Sequence, residues 1–198
     1  MQQRRKNNIV QHANERGIFA IRRPLSPDSQ QLLHRFSCIL QSELHNSGRL
    51  FNPRSLGVTV VGFSRFNKRH KGIGPPTKRI TAEVESCHHP INNVRLGSLA
   101  IFGSSFKGKL GINLISEELV NEAANLEGVF KEKGFPLRKD PNGDSSLTPH
   151  CSIALLYNDN LGHFQDDRTL AKLTQMIGLE KGITQSITLD PVSTRPTS

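Results

Sequence analysis

The chain has 198 residues, with 26 Lys and Arg against 17 Asp and Glu and a formal net charge of +9. This length can bury a hydrophobic core as one domain or two small ones, and no apolar run approaches the roughly 18 residues of a membrane helix. The charge excess favours an anionic partner, most often nucleic acid. The alternative is that the charge only keeps the protein soluble.

The cysteines and the N-terminus indicate a compartment. Cys38, Cys87 and Cys151 are too few and too scattered for a disulfide framework or a Cys-x-x-Cys metal site. Residues 1–8 are basic, but no apolar segment follows them as it does in a secretory signal. We therefore expect a protein of the reducing cytoplasm.

The first half of the chain has the pattern of a strand, a capped helix and a second strand. Ser26 suits an N-cap and Pro27 the first helical position, and apolar residues then recur at helical spacing. The second strand is rich in β-branched residues and places Thr59 on a face with Gly57. The predicted elements are a strand at 17–22, a helix from 26 that residues 46–48 end, and a strand at 56–63.

A strongly basic segment, residues 64–79, follows the second strand. It carries its cations among glycines and two prolines, a composition typical of an exposed loop. Its place directly after the Thr59 strand favours contact with phosphates over the alternative of a solvated loop. The residues expected to contact phosphate or RNA are Arg65, Lys68, Arg69, His70 and Lys71.

The second half repeats the order of strand, capped helix and strand. Ser116 suits an N-cap, and Gly134 ends the helix that it begins. The predicted elements are a short helix at 80–89, strands at 94–104 and 110–115, a helix at 116–134, a strand at 147–157, a helix from 166 and a strand at 183–189.

The strand 147–157 carries the residues with the strongest chemistry. Because strand side chains alternate, His150 and Ser152 share a face, and we expect Ala154 beside them. An imidazole beside a hydroxyl can move a proton and hydrogen-bond an oxyanion, but a single strand histidine can equally be a structural core residue. The residues expected on the core face are Cys151, Ile153, Leu155 and Tyr157.

The two halves suggest an internal repeat. Ala20 to Thr59 and Asn113 to Ser152 are both separated by about 40 residues, a plausible repeat period. We therefore expect two lobes whose sheets pack around a shared groove, with the hydroxyls of Thr59 and Ser152 facing each other across it.

The segment Pro149-His150-Cys151-Ser152-Ile153-Ala154-Leu155 resembles the second His-x-Thr/Ser motif of the 2H phosphoesterase superfamily, which includes LigT-like RNA 2′,3′-cyclic phosphodiesterases and 2′-5′ RNA ligases. Residues 52–63 resemble the surroundings of the first motif. The resemblance covers about residues 17–190. It implies an α+β, bilobal fold of two pseudo-symmetric lobes, each with an antiparallel sheet and flanking helices around a central cleft. We expect one such domain over 16–190, between a flexible arm at 1–15 and a flexible tail at 191–198.

The resemblance also implies roles for the residues at the cleft. His150 would be a general acid or base, and Thr59 and Ser152 would bind the phosphate. The family has a His where this chain has Gly57, so one of the two catalytic imidazoles is missing. Opening a 2′,3′-cyclic phosphate uses one imidazole to take the proton of water and the other to protonate the leaving oxygen.

Two functions follow from this comparison. The first is a phosphodiesterase that acts on RNA ends or small nucleotides with a 2′,3′-cyclic phosphate or 2′-5′ linkage, impaired by Gly57. The alternative is a non-catalytic RNA- or nucleotide-binding protein that keeps the cleft. A third interpretation is a basic α/β protein in which His150 is structural.

The expected partner is RNA or a nucleotide, bound by a monomer without a membrane. The mechanism needs no metal or cofactor, and the adjacent His88 and His89 have no third ligand nearby. His70 in the basic segment is the histidine best placed to substitute for the missing one.

Overall fold

The computed structural model describes residues 20–44, 47–52, 56–62, 84, 87, 89–104, 107–135, 137, 148–157, 164, 166–179 and 185–191. The expected arm at 1–15, the basic segment 64–79, the helix at 80–89 apart from positions 84, 87 and 89, and the tail from 192 lie outside them. Within the described part of the chain the elements are β1 (Ala20–Pro24), α1 (Pro27–Leu40), β2 (Gly48–Leu50), β3 (Gly57–Gly62), β4 (Ile91–Ser104), β5 (Lys107–Ile115), α2 (Glu117–Glu132), β6 (His150–Leu156), α3 (Asp167–Met176) and β7 (Ser186–Leu189).

The three helices in the described part of the chain begin at the N-caps expected from the sequence. Ser26, Ser116 and Asp166 each accept a hydrogen bond from the backbone N–H three residues later, at 3.2–3.3 Å. These bonds satisfy N–H groups that a helix leaves without an internal partner. The buried residues of α1 and α2 recur at helical spacing and turn one face of each helix towards the core.

The strands that the structure describes form one curled antiparallel sheet. Its order is β1-β3-β6-β5-β4-β7, and β2 pairs with β6 beside this path. A bridge joins Leu25 to Leu189, the N–H of Asp190 donates to the carbonyl of Pro24 at 3.0 Å, and the N–H of Ser26 donates to Thr188 at 3.0 Å. The sheet therefore curls until β7 meets the chain just after β1.

Two halves of the sheet have the same order of elements. In the first, β1 leads through α1 to its antiparallel neighbour β3. In the second, β5 leads through α2 to its antiparallel neighbour β6. The halves meet where β3 pairs with β6. This arrangement confirms the expected α+β class with two related lobes.

A buried arginine joins the elements beneath this sheet. Arg23 is 0% exposed, and its Nε donates to the Glu122 carboxylate of α2 at 2.7 Å. Its Nη2 forms a second bond to the same carboxylate. Its Nη1 donates to the carbonyls of His89, at 2.9 Å, and Asp190, at 3.1 Å. The charge is thus paired and hydrogen-bonded, as burial requires.

The main departure from the predicted elements is β2. Residues 46–48 were expected only to end the first helix, but α1 ends at Leu40 and Gly48 begins a strand against Leu156. A Cβ at position 48 would lie 2.6 Å from the carbonyl oxygen of Leu155. Gly48 is therefore required by the close approach of two backbones that lie far apart in the chain.

Candidate functional site

The centre of the sheet is the junction of β3 and β6. Val58 pairs with Cys151 across the two antiparallel strands, and both side chains are 0% exposed. In an antiparallel register the next positions place Thr59 beside His150 and Gly57 beside Ser152. Alternation puts these four residues on the face opposite Val58.

That opposite face is partly exposed. Thr59, His150 and Ser152 are all partly accessible, whereas Val58, Val60 and Cys151 beside them are buried. Thr59 and Ser152 are diagonal neighbours, for which Cα atoms lie roughly 7–8 Å apart. One phosphate with a hydrogen bond to each hydroxyl can bridge such a distance. The structure therefore brings the two predicted hydroxyls and the predicted histidine to one face.

Neighbouring groups hold the His150 ring in place. Its Nδ1 lies 2.8 Å from the carbonyl oxygen of Thr148. Because a carbonyl can only accept, Nδ1 carries the proton and Nε2 is the nitrogen at which a proton is gained or lost. The ring also stacks on Phe102, with centroids 3.7 Å apart and planes 6° apart.

Phe102 needs a glycine beneath it. A Cβ at Gly111 on β5 would lie 2.9 Å from the Phe102 ring, and Gly111 is the cross-strand partner of Ser152. The absence of a side chain at position 111 lets the ring lie flat over β5 and reach His150. The sequence offered no signal for this contact, which depends on three strands.

Gly57, at which the family resemblance implies a histidine, is closely packed. A Cβ at Gly57 would lie 2.8 Å from the carbonyl oxygen of Arg23 and 3.4 Å from Nη2 of Arg22. Arg22 Nη2 donates to the carbonyl of Gly57 at 3.0 Å. Arg22 also pairs with Thr59 across β1 and β3, and burial lowers its pKa.

The sequence prediction did not include Arg22 among the site residues. Its neighbour Arg23 has the same charge but is buried on the other face in the ion pair with Glu122. A signal was available in the repeat, because the partner of Thr59 on β1 corresponds to the partner of Ser152 on β5. Only the register identifies those partners as Arg22 and Gly111.

Cys151 lies beneath the site and has different chemistry. Burial raises the pKa of its thiol to about 11, against the opposing effects of the Arg22 charge and the Gly57 backbone. The thiol is therefore neutral at ordinary pH and is not a nucleophile there.

The predicted faces of the His150 strand were correct as far as Ile153 and wrong beyond it. The register shifts where Leu110 pairs with Ala154 and Gly111 with Ser152. As a result Ala154 is buried, whereas Leu155 is partly exposed and Tyr157 is 46% exposed. A bulge of this kind adds a residue to one strand and reverses the alternation that follows.

Beyond the bulge, the partly exposed face carries two cations. Arg49 on β2 and Lys109 on β5 both pair with Leu155 of β6, and both are exposed. They lie on either side of the strand that carries His150 and Ser152, a few residues from them. A chain of phosphates that leaves the site along β6 would meet these charges.

Several predicted contacts fall outside the described residues. These are Arg65, Lys68, Arg69, His70 and Lys71. Within the described ranges, no group of three His, Cys, Asp or Glu residues could hold a metal ion, and no helix is long and apolar enough to cross a membrane.

Comparisons with known proteins place the fold. No family model matches the sequence, and no curated protein sequence matches it. The structure of Kluyveromyces marxianus Usb1 matches with a TM-score of 0.51 at 13% identity, over 87% of this chain and 89% of that chain. Usb1 from the same yeast with uridine monophosphate has a TM-score of 0.47 at 16% identity, over 87% and 82% of the two chains. The protein TT0787 of Thermus thermophilus has a TM-score of 0.48 at 14% identity, over 69% and 72%.

At this level of identity the first of these likenesses defines the fold. The chain has a mixed helix and strand fold with a curled antiparallel sheet, and the α+β, bilobal fold expected from the sequence is confirmed.

Proposed function

We propose that this protein is a 2H-type phosphodiesterase that acts on RNA ends or small nucleotides carrying a 2′,3′-cyclic phosphate or a 2′-5′ linkage. One observation carries the proposal. The pairing of Val58 with Cys151 sets Thr59, Ser152 and His150 on one partly exposed face at the junction of the two halves of the sheet. That is the arrangement in which two hydroxyls and an imidazole can share one phosphate.

The two hydroxyls bind the phosphate in this proposal. Each donates to a non-bridging oxygen, where negative charge is concentrated in the transition state. The net charge of +9 attracts the anionic substrate. Arg49 and Lys109 extend the positive potential along β6 and suit the further phosphates of an RNA chain.

His150 moves the proton. As the water oxygen bonds to phosphorus, Nε2 accepts the proton of that water. The bond from phosphorus to one ribose oxygen breaks, and the leaving oxygen takes a proton, so that the product is a phosphomonoester. The Nδ1 bond to the carbonyl of Thr148 holds the ring in the tautomer that this step requires.

Gly57 makes the reaction slow in this proposal. A second imidazole at that position would protonate the leaving oxygen, and one such proton transfer typically contributes about 10²–10⁴-fold. Without it the leaving oxygen must take its proton from solvent or from the protonated His150. We expect measurable binding and slow turnover.

A non-catalytic binding protein is the second candidate, and one observation favours it. A Cβ at Gly57 would lie 2.8 Å from the carbonyl of Arg23, so the strands leave no room for a second imidazole in their present positions. A protein that only binds phosphate has no use for one.

Single-turnover hydrolysis separates the two candidates. Uridine 2′,3′-cyclic phosphate and a 2′-5′-linked adenosine dinucleotide are incubated with protein in excess, and the phosphomonoester or mononucleotide formed is measured. We expect slow turnover that His150→Gln abolishes, and unchanged turnover for His34→Ala, an exposed histidine on α1.

Calorimetric binding of the same nucleotides completes the test. Binding without turnover, weakened between about 50 and 200 mM salt as phosphate contacts require, would favour the binding protein. If neither nucleotide binds nor turns over, both candidates are wrong. If His150→Gln turns over as fast as the unaltered protein, the proposed role of His150 is wrong.

A further inference from the structure

One charged side chain lies at the centre of the site without a part in the mechanism above. Arg22 is on β1, directly across from Thr59 on β3. Its Nη2 donates to the carbonyl of Gly57 at 3.0 Å, and its guanidinium lies 3.4–3.6 Å from the position of a Cβ on Gly57. The cation therefore lies in van der Waals contact with the point at which a side chain at position 57 would begin.

The two halves of the sheet show what the guanidinium replaces. In the second half, the residue two positions before the Ser152 hydroxyl is His150, stacked on Phe102. In the first half, the residue two positions before the Thr59 hydroxyl is Gly57, and the group that packs there is the Arg22 guanidinium. The group two positions before the hydroxyl is thus an imidazole in the second half, whereas in the first half the Arg22 guanidinium packs against a glycine at that position.

We propose that Arg22 is a phosphate-binding residue that takes the place of the first imidazole, and that the site consequently prefers terminal phosphomonoesters to cyclic phosphodiesters. This inference rests on the proposed function, since it assigns a ligand to the same site. It names the RNA or nucleotide end with a free phosphate, the product of the proposed hydrolysis, as the species held most tightly.

The chemistry of guanidinium supports this preference. Unlike imidazole, it does not exchange its proton near neutral pH, so Arg22 can bind charge but cannot replace the missing acid or base. A phosphomonoester carries about −1.5 to −2 charges at pH 7, and a cyclic phosphodiester carries one. A fixed cation that is partly removed from water discriminates between these charges more strongly than an exposed one.

Paired affinities test the inference. Calorimetry gives the Kd of uridine 3′-monophosphate and of uridine 2′,3′-cyclic phosphate for the unaltered protein, Arg22→Met, Arg22→Lys and Arg95→Met. Arg95 is an exposed arginine on β4 and controls for the loss of one charge. A hydrogen bond to a charged group corresponds to roughly 10- to 100-fold in affinity.

We expect the unaltered protein and Arg95→Met to bind the monoester at least about tenfold more tightly than the cyclic diester. Arg22→Met should lose about 10- to 100-fold in monoester affinity and much less in cyclic diester affinity, which brings the two Kd values together. Arg22→Lys should keep part of the preference, because it keeps the charge without the planar pair of donors.

Other outcomes overturn the inference, and they differ from failure of the proposed function. If Arg22→Met lowers the unfolding temperature but keeps the ratio of the two Kd values, Arg22 is a structural residue. If the unaltered protein binds and hydrolyses the cyclic nucleotide but does not prefer the monoester, only the inference about Arg22 is wrong. If neither nucleotide binds, both the proposed function and the inference about Arg22 are wrong.

Discussion

Gly57→Ala should destabilise the protein, although the change adds only one methyl group. The new Cβ would lie 2.8 Å from the carbonyl oxygen of Arg23, whereas ordinary van der Waals contact begins at about 3.4 Å. β1 must therefore retreat by roughly half an ångström, and overpacking of this kind costs about 1–3 kcal/mol. Retreat is difficult because the Arg23 side chain is 0% exposed and bonded to Glu122.

A second glycine supplies the control. Gly128 on α2 is exposed, and a Cβ there would meet nothing within 4 Å. Gly128→Ala should stabilise the protein by about 0.5–1 kcal/mol, because alanine loses less backbone entropy on folding. Gly57→Ala gains a similar term, so the free energies of unfolding of the two variants should differ by about 1–3 kcal/mol, the steric cost alone.

Urea unfolding followed by far-ultraviolet circular dichroism measures this difference, since the chain has no Trp for fluorescence. If Gly57→Ala is as stable as Gly128→Ala, the close approach of β1 is not rigid and the reasoning is wrong. The result bears on function, because Gly57→His introduces the same Cβ. A steric cost at position 57 means that restoring histidine alone does not restore a two-histidine site.

Three further predictions concern the buried face. Arg23→Met should lower the free energy of unfolding by about 3–5 kcal/mol, because it leaves the mostly buried Glu122 carboxylate unpaired. The control Arg95→Met should change the free energy of unfolding by less than about 0.5 kcal/mol. Equal effects of the two variants in urea titrations would contradict the importance of the ion pair. Iodoacetamide at pH 8 should modify exposed Cys38 but not Cys151, whose pKa is raised to about 11. Mass spectrometry of the labelled native protein measures this difference. Labelling of both cysteines would contradict the burial of Cys151. Because the Cys151 thiol has a pKa of 9.0 without burial and about 11 when folded, unfolding releases its proton above pH 9, and stability should fall between about pH 9 and 11.

The consecutive arginines show what depends on packing. Arg22 and Arg23 have the same side chain, and strand alternation sends them to opposite faces. Arg23 is enclosed with a carboxylate and two carbonyls, whereas Arg22 lies beside Thr59 and Gly57 on the face with the site. Alternation predicts that the two side chains lie on opposite faces of the sheet. It does not predict which of them reaches the site, because a register shift lies between Ile21 and Arg22.

Several features of this fold depend on local chemistry and could be predicted from the sequence alone. The caps at Ser26, Ser116 and Asp166 depend on hydrogen bonds within one helical turn, so they were predictable. The α+β order of elements followed from hydrophobic periodicity, which each segment carries by itself. The strands that carry Thr59 and Ser152 were predictable as strands, because each lies within one short run of apolar and β-branched residues.

Which residues become neighbours in the site depends on the tertiary structure. The pairing of Val58 with Cys151 joins residues from the two halves of the chain, and it places Thr59 beside His150. The stack of Phe102 on His150 and the seating of Arg22 against Gly57 depend on which strands become neighbours. Such contacts are set by register and by space between backbones, and no single segment of the sequence contains that information.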